Sequence, residues 1–243
     1  MKNEVAITEN IKQLTAMLGD LSNRSMGVEG MGLVWGNPGE GKTTAIAWAV
    51  DQVNGVYLRA RASWTPLAML NAFAAELGVD GSKGSKSQVC DRIIDDLTRN
   101  PKMVFVDEAD YLFMGRGDEM ADTMRDIYDV SQSPIVLIGM EDMSGKIKNR
   151  PRLRRRIQKW VAFKPLEFKD VKNLTDTVCE VPIEHDLLAD LHKKSSGNIG
   201  LITLGLEKLE RYSKRNGIDP DPIGPSHWGD KPFFLTSKHG GMG

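Results

Sequence analysis

The sequence predicts an α/β fold, a parallel sheet covered by helices on both faces, followed by a small helical subdomain. Three observations lead there. Short apolar runs alternate with helical periodicity from Gly32 to Phe163, the pattern of strands joined by crossover helices. Residues Gly36 to Thr43 read Gly-Asn-Pro-Gly-Glu-Gly-Lys-Thr, a full match to the phosphate-binding pattern G-x-x-x-x-G-K-[ST], set between a strand and a helix. Beyond Pro165 the strand patterns stop and three helical stretches follow.

The loop is the stretch around which the rest is organised. Gly32-Leu33-Val34-Trp35 enters it as a short buried strand, and Thr44 to Val50 leaves it as a helix. Its glycines let backbone N–H groups turn toward a triphosphate, and the helix N-terminus adds partial positive charge. The phosphate-binding set is therefore Gly36, Asn37, Pro38, Gly39, Glu40, Gly41, Lys42, Thr43 and Thr44. Lys42 is expected on the outer phosphates, and the Thr43 hydroxyl on Mg²⁺. The cofactors this implies are ATP and Mg²⁺.

Composition limits the alternatives. With 243 residues there is room for one large domain, or one large and one small. A formal net charge of -1 excludes a globally basic surface, so any nucleic-acid contact must come from a local patch. Cys90 and Cys179 lie far apart without metal-ligand spacing, which points to two reduced thiols and not to a zinc site or a disulfide framework. No apolar run approaches the length of a membrane helix, and the N-terminus lacks a signal-peptide core. The expected location is the cytoplasm.

In chain order, Ile11, Leu14, Leu18 and Leu21 recur at helical spacing after Thr8, a candidate N-cap. Gly55 to Ala60 suggests a second strand. Pro66 after Thr65 fits the first turn of a helix reaching Leu77. A polar loop, Asp80 to Lys86, precedes a helix whose start carries the Ser85/Gln88 capping-box pair. Met103 to Val106 is an apolar strand that ends in Asp107-Glu108. In nucleotide hydrolases the first acid at such a strand end holds Mg²⁺ and the second polarises the attacking water. On its own such a strand could equally end in solvated acids; downstream of a phosphate loop, the functional assignment wins.

A charged helix from Asp118 to Gln132 and a buried strand, Pro134 to Gly139, follow. From Lys146 to Lys159 the chain then carries eight lysines and arginines and no acid. A run of this kind is usually a solvated face; between two strands of a nucleotide-binding sheet it suggests a phosphate partner. Trp160 to Phe163 supplies the last strand. Three helices are expected over Asp170–Cys179, Pro182–Lys194 and Asn198–Arg215, the last stopped by Gly217. Ile218 to Gly243 holds four prolines and several glycines and suggests a tail without a packed core, although Trp228 and Phe233-Phe234-Leu235 are unusual in an idle tail. The resulting division is 1–164, 165–216 and 217–243.

A helix before the phosphate loop, Gly36 to Thr43, a strand ending Asp107-Glu108, a further strand, an arginine-rich turn and a helical lid together resemble an AAA+ ATPase over residues 5 to 216. Within that superfamily the compact layout and the Leu153-Arg-Arg-Arg-Ile turn resemble the B protein of Mu-type transposable phages and related transposition regulators. The resemblance implies a three-layer αβα core with a five-stranded parallel sheet of order 5-1-4-3-2. It also implies ATP bound between subunits of a homo-oligomer, with arginines after the fourth strand acting on the neighbour's γ-phosphate. Arg156 best matches that arginine-finger position, with Arg154 and Arg152 next. Glu108 is the expected base, and Thr43 and Asp107 the expected metal ligands. Candidate DNA contacts are Arg59, Arg61, Lys83 and Lys86, in the region that faces the central channel of resembling filaments, together with Lys146 and Lys148.

Three departures from the family pattern stand out. The polar sensor expected at the end of the fourth strand falls on Gly139-Met140, and the lid arginine expected after a Gly-Asn pair is replaced in Gly197-Asn198-Ile199-Gly200. Both suggest slow hydrolysis. Mu B itself carries an N-terminal DNA-binding helical domain, whereas this chain starts close to the ATPase core, which leaves DNA binding to the ATPase surface. The expected function is an ATP-dependent, largely sequence-nonspecific binder of duplex DNA that oligomerises on its target and delivers it to a transposase. The alternative is a remodelling or loader ATPase acting on a protein partner, and a third reading is an assembly scaffold with negligible turnover.

Overall fold

The computed structural model describes residues 1–114 and 118–234. Leu235 and the rest of the expected tail lie outside the described residues. Five strands, β1 (Met31–Trp35), β2 (Val56–Arg59), β3 (Val104–Asp107), β4 (Ile135–Gly139) and β5 (Ile157–Ala162), form one sheet of order β2-β3-β4-β1-β5. Every pairing is parallel. This is the order the resemblance implied, read from the opposite edge.

Two compact units can be separated. The larger, Asn10–Pro38 with Lys42–Phe163, contains the sheet. Its helices are α1 (Glu9–Ser22), α2 (Lys42–Val53), α3 (Pro66–Leu77), α4 (Lys86–Arg99), α5 (Glu119–Ser131), α6 (Met143–Lys148) and α7 (Pro151–Arg154). The central strands are apolar up to Asp107 at the end of β3 because both faces are covered, and β3 and β4 are buried at every position. Leu33, Val104, Val106, Ile135 and Leu137 pack with Leu70, Phe73, Ile93, Met124 and Ile127 in a single core. On the other face α1 closes on β1 so tightly that a Cβ at Gly32 would lie 3.0 Å from both Leu21 and Met17.

Local chemistry sets the helix ends. Thr65 caps α3 by accepting from the Ala68 N–H, and Gly78 ends it in the left-handed conformation (φ 74°) that a glycine adopts without a Cβ clash. Ser85 and Gln88 form the expected capping box on α4. The last strand begins at Ile157, three residues before the expected Trp160, so the end of the basic run is itself sheet. Ile157 and Val161 turn inward while Gln158 is exposed, an alternation interrupted by the charged residues and hence missed as a strand pattern.

The smaller unit, Met1–Glu9, Gly39–Gly41 and the chain from Lys164 onward, contains α8 (Phe168–Val178), α9 (His185–Ser195), α10 (Ile199–Arg215) and α11 (Pro225–Trp228). Its core joins Val171, Leu174, Leu188, Leu191, Ile202, Leu206 and Leu209. The expectation of a tail without a packed core fails for the described part of that segment. Ile223, Trp228, Phe233 and Phe234 belong to the same core. Trp228 stacks on Phe233 with ring centroids 5.6 Å apart and meets Tyr212 edge-on at 5.3 Å. The prolines shape this segment without unfolding it, because Ile223 bridges to Ile183 and supplies a parallel pairing outside the main sheet. Among the described residues, no helix is long and apolar enough to cross a membrane.

Candidate nucleotide-hydrolysis site

The phosphate loop runs from the end of β1 to the first turn of α2. Gly36, Gly39 and Gly41 all have positive φ (159°, 80° and 83°); at Gly39 and Gly41 the chain is in the left-handed region that favours glycine. Lys42, Thr43 and Thr44 are the first three residues of α2, so their N–H groups belong to the unpaired first turn of a helix. Lys42 Nζ donates to the carbonyls of Gly36 (2.6 Å) and Asn37 (2.9 Å), which holds its ammonium inside the curve of the loop. Thr43 and Thr44 are exposed, while Glu40 is buried.

β3 delivers the two acids. Asp107 is only 4% exposed, yet three donors converge on its carboxylate. Thr43 Oγ1 lies 3.2 Å from Oδ2, the Tyr57 hydroxyl donates to Oδ2 at 2.8 Å, and the Glu108 N–H donates to Oδ1 at 2.9 Å. Sequence reasoning missed Tyr57. Burial, and then its bond to Asp107, hold the Tyr57 phenol well above its ordinary pKa, so it remains a donor. Glu108 is one-third exposed and has left-handed backbone (φ 54°, ψ 34°), an uncommon state for a side chain with a Cβ. Arg59 at the end of β2 lies 3.6 Å from it.

This donor set fits Mg²⁺. The Thr43 hydroxyl and the Asp107 carboxylate are hard oxygen ligands brought together, and among the described residues no group of three or more His, Cys, Asp or Glu forms a closed metal cage. Mg²⁺ in phosphate-transfer sites takes one or two protein oxygens and completes its shell with phosphates and water.

The basic run is divided by its neighbours. Arg156 Nε and Nη2 hold both oxygens of Asp129 (2.7 and 3.0 Å), with Glu29 at 3.6 Å. The residue expected as an arginine finger is thus engaged within its own unit. Arg150 forks onto Asp118 (2.7 and 2.8 Å) and lies over the Phe113 ring. Lys159 pairs with Asp20, and Lys146 with Asp110 and Asp142. Burial lowers the Lys146 pKa, but its hydrogen bonds to the two acids outweigh that and raise it. Lys148, Arg152, Arg154 and Arg155 remain exposed; among the described residues no ion pair engages them. Of the other expected DNA contacts, Arg59 faces Glu108 and Lys86 pairs with Glu119, while Arg61 and Lys83 are exposed.

The lid motif Gly197-Asn198-Ile199-Gly200 forms the start of α10. The Asn198 side chain accepts from the Leu201 N–H at 3.1 Å and caps the helix, and Gly200 N–H donates to the Gly39 carbonyl at 3.2 Å. A Cβ at Gly39 would lie 2.4 Å from the Asn198 side chain, so this glycine is required for close approach as well as for its φ.

Comparison with known proteins agrees with this geometry. Residues 25–147 match the family model described as an AAA domain. No curated protein sequence matches the chain. Among solved structures, the Aeropyrum pernix ORC1 protein in complex with DNA superposes with a TM-score of 0.62 at 19% identity, over 93% of this chain and 64% of that one. The Aeropyrum pernix ORC2 protein, solved as ADPNP-ADP complexes, gives 0.70 at 13% identity, over 93% and 68%. A Walker-type ATPase of Pyrococcus abyssi gives 0.59 at 18% identity, over 87% and 68%. The chain thus spans about two thirds of each of these structures. The site has the parts of a nucleotide-binding centre, a phosphate loop suited to ATP and hard oxygen ligands suited to Mg²⁺. With the family model covering half of its length around a complete phosphate loop and strand-end acids, the chain belongs to the AAA domain family.

Proposed function

We propose that the chain is an ATP-gated, largely sequence-nonspecific DNA-binding ATPase that assembles with ATP between subunits, and that it delivers target DNA to a transposase. The observation that supports DNA as the partner is the division of the basic run. Lys148, Arg152, Arg154 and Arg155 present four exposed cations within eight residues, while the acids around them are consumed by Lys146, Arg150 and Arg156. On a protein of net charge -1, such a local cluster is what a phosphate backbone would bind. The transposase reading rests on the resemblance of the arginine-rich turn to Mu B.

In this reading Lys42 and the first-turn N–H groups of α2 hold the phosphates, and Thr43 and Asp107 hold Mg²⁺. When bound, the metal supplies charge that neutralises the phosphoryl oxygens. Glu108 orients the attacking water, and Tyr57 holds the Asp107 carboxylate in place. Arg154, exposed next to the engaged Arg156, is the better candidate to act on a neighbour's ATP.

A second reading is a remodelling or loader ATPase that acts on a protein partner. Fluorescence anisotropy of a random-sequence duplex separates the two. The proposal expects tight binding with a non-hydrolysable ATP analogue, weak binding with ADP, and loss of the difference in Lys42→Ala. Nucleotide-independent or absent duplex binding would refute it. Target-site choice in a strand-transfer assay, with and without the protein, tests the transposase step.

A further inference from the structure

Glu108 carries a backbone conformation that costs on the order of 1 kcal/mol for a residue with a Cβ. The group that holds the turn lies two residues on. Asp110, 9% exposed, uses both carboxylate oxygens: Oδ2 accepts from the backbone N–H of Met140 at 2.8 Å, and Oδ1 from Lys146 Nζ at 2.8 Å. Lys146 also lies 2.9 Å from Asp142. Gly139 makes the room. A Cβ there would stand 2.6 Å from Asp110 Oδ2 and 2.7 Å from Met143 Cγ. The glycine at the end of β4 is therefore demanded by the Asp110 carboxylate, which occupies the space where the family pattern has a polar side chain.

We propose that Asp110 and Lys146 are positioning residues for ATP hydrolysis, fixing the turn that carries Glu108 to the end of β4 and to α6. The inference rests on Glu108 being the group that orients water. The short turn from Ala109 to Phe113 starts from Glu108, whose carbonyl accepts from the Tyr111 N–H at 3.0 Å. Its sideways anchor is Asp110, whose carboxylate accepts from the Met140 N–H just past the end of β4. Lys146, on α6, holds the carboxylate's rotamer through its 2.8 Å contact with Oδ1. It follows that Lys146 is spent on the site and does not contact DNA.

The test uses Asp110→Asn, Lys146→Met and Lys146→Arg in the full chain, with kcat and KM for ATP, affinity for a fluorescent ATP analogue, the salt dependence of duplex binding, and thermal melting. Asn keeps an acceptor for the Met140 N–H and removes the charge facing Lys146. Asp110→Asn is expected to lower kcat about tenfold with analogue affinity within about twofold. Lys146→Met should lower kcat several-fold without changing the salt slope, and Lys146→Arg should restore most of it. If Asp110→Asn fails to fold, Lys146→Met still decides, since that side chain is one-third exposed. Unchanged kcat in folded Lys146→Met would overturn the inference, as would a salt slope reduced by about one with kcat intact, the mark of a phosphate contact. Glu108→Gln run in parallel separates the two failures. If turnover survives Glu108→Gln, the underlying assignment is wrong; if only the pair variants are silent, the positioning inference alone is wrong.

Discussion

Arg156→Ala separates a structural arginine from a catalytic one. Its guanidinium forms a two-pronged contact with Asp129, and the side chains are 25% and 32% exposed. A hydrogen bond to a charged group contributes about 1.5–3 kcal/mol when buried, and exposed pairs about 0.2–1 kcal/mol. Partial exposure places this pair between the two, at about 1–2 kcal/mol. Urea unfolding of Arg156→Ala, Asp129→Ala and the double variant should therefore show single losses of that size and a coupling of about 1 kcal/mol. Turnover per folded molecule, measured on saturating DNA, should change less than about twofold. Arg154→Ala should behave in the opposite way, with stability unchanged and assembled turnover strongly reduced. Mixing it with Glu108→Gln subunits should restore some activity, because a mixed interface can pair an intact arginine with an intact base. Wild-type stability with lost assembled turnover in Arg156→Ala would refute the structural assignment.

Glu108→Gln keeps the side-chain shape and removes the charge, so turnover should fall by about two orders of magnitude while nucleotide binding persists; single-turnover kinetics with labelled ATP check both. Trp228→Ala removes a stacked, 5% exposed ring and should destabilise the smaller unit by about 3–5 kcal/mol, seen as a lower-temperature transition in calorimetry. Burial pushes the Cys179 thiol up to about 12 and also raises Cys90. Because only the thiolate reacts, Cys179 alkylation by iodoacetamide in the native state should be slow at pH 8 and rise about tenfold per pH unit up to that value. Rapid labelling at pH 8 that is equal to the unfolded chain would contradict this.

What the sequence made legible was local. The phosphate loop, the β3 acids, the Pro66 start of α3 and the capping box at Ser85 are each written within a few consecutive residues, and the structure has all of them in place. The partners that were missed lie far along the chain. The basic run lacks an acid in sequence, yet Asp110, Asp118 and Asp129, 27 to 36 residues upstream, meet it in space. Tyr57 sits 50 residues from Asp107, and only the β2–β3 register, which pairs Arg59 with Asp107, brings it there. In the C-terminal segment the proline and glycine content obscured Ile223, Trp228 and Phe233, too widely spaced to show a period but enough to extend a core.

The register that placed Tyr57 also joins the hydrolysis site to its expected DNA contacts. Tyr57 and Arg59 are two residues apart on β2, so they project from the same face of the pleat. There Tyr57 holds Asp107 and Arg59 faces Glu108. Arg59 is 63% exposed, so the pairing is weak and open to competition by a polyanion. In that pairing the Arg59 guanidinium competes for the carboxylate proposed to orient water. A DNA phosphate engaging Arg59 would release the carboxylate, so that binding raises turnover through one side chain. Arg59→Ala should then raise turnover without DNA by a few-fold and reduce the stimulation by duplex, with affinity lowered uniformly across sequences. Coupled-enzyme ATPase assays across a DNA titration measure both quantities. A fall in DNA-free turnover would mean that Arg59 supports Glu108 instead of restraining it. Undiminished stimulation would mean that the signal enters elsewhere, with the exposed cations of α7 and Arg155 the next place to look.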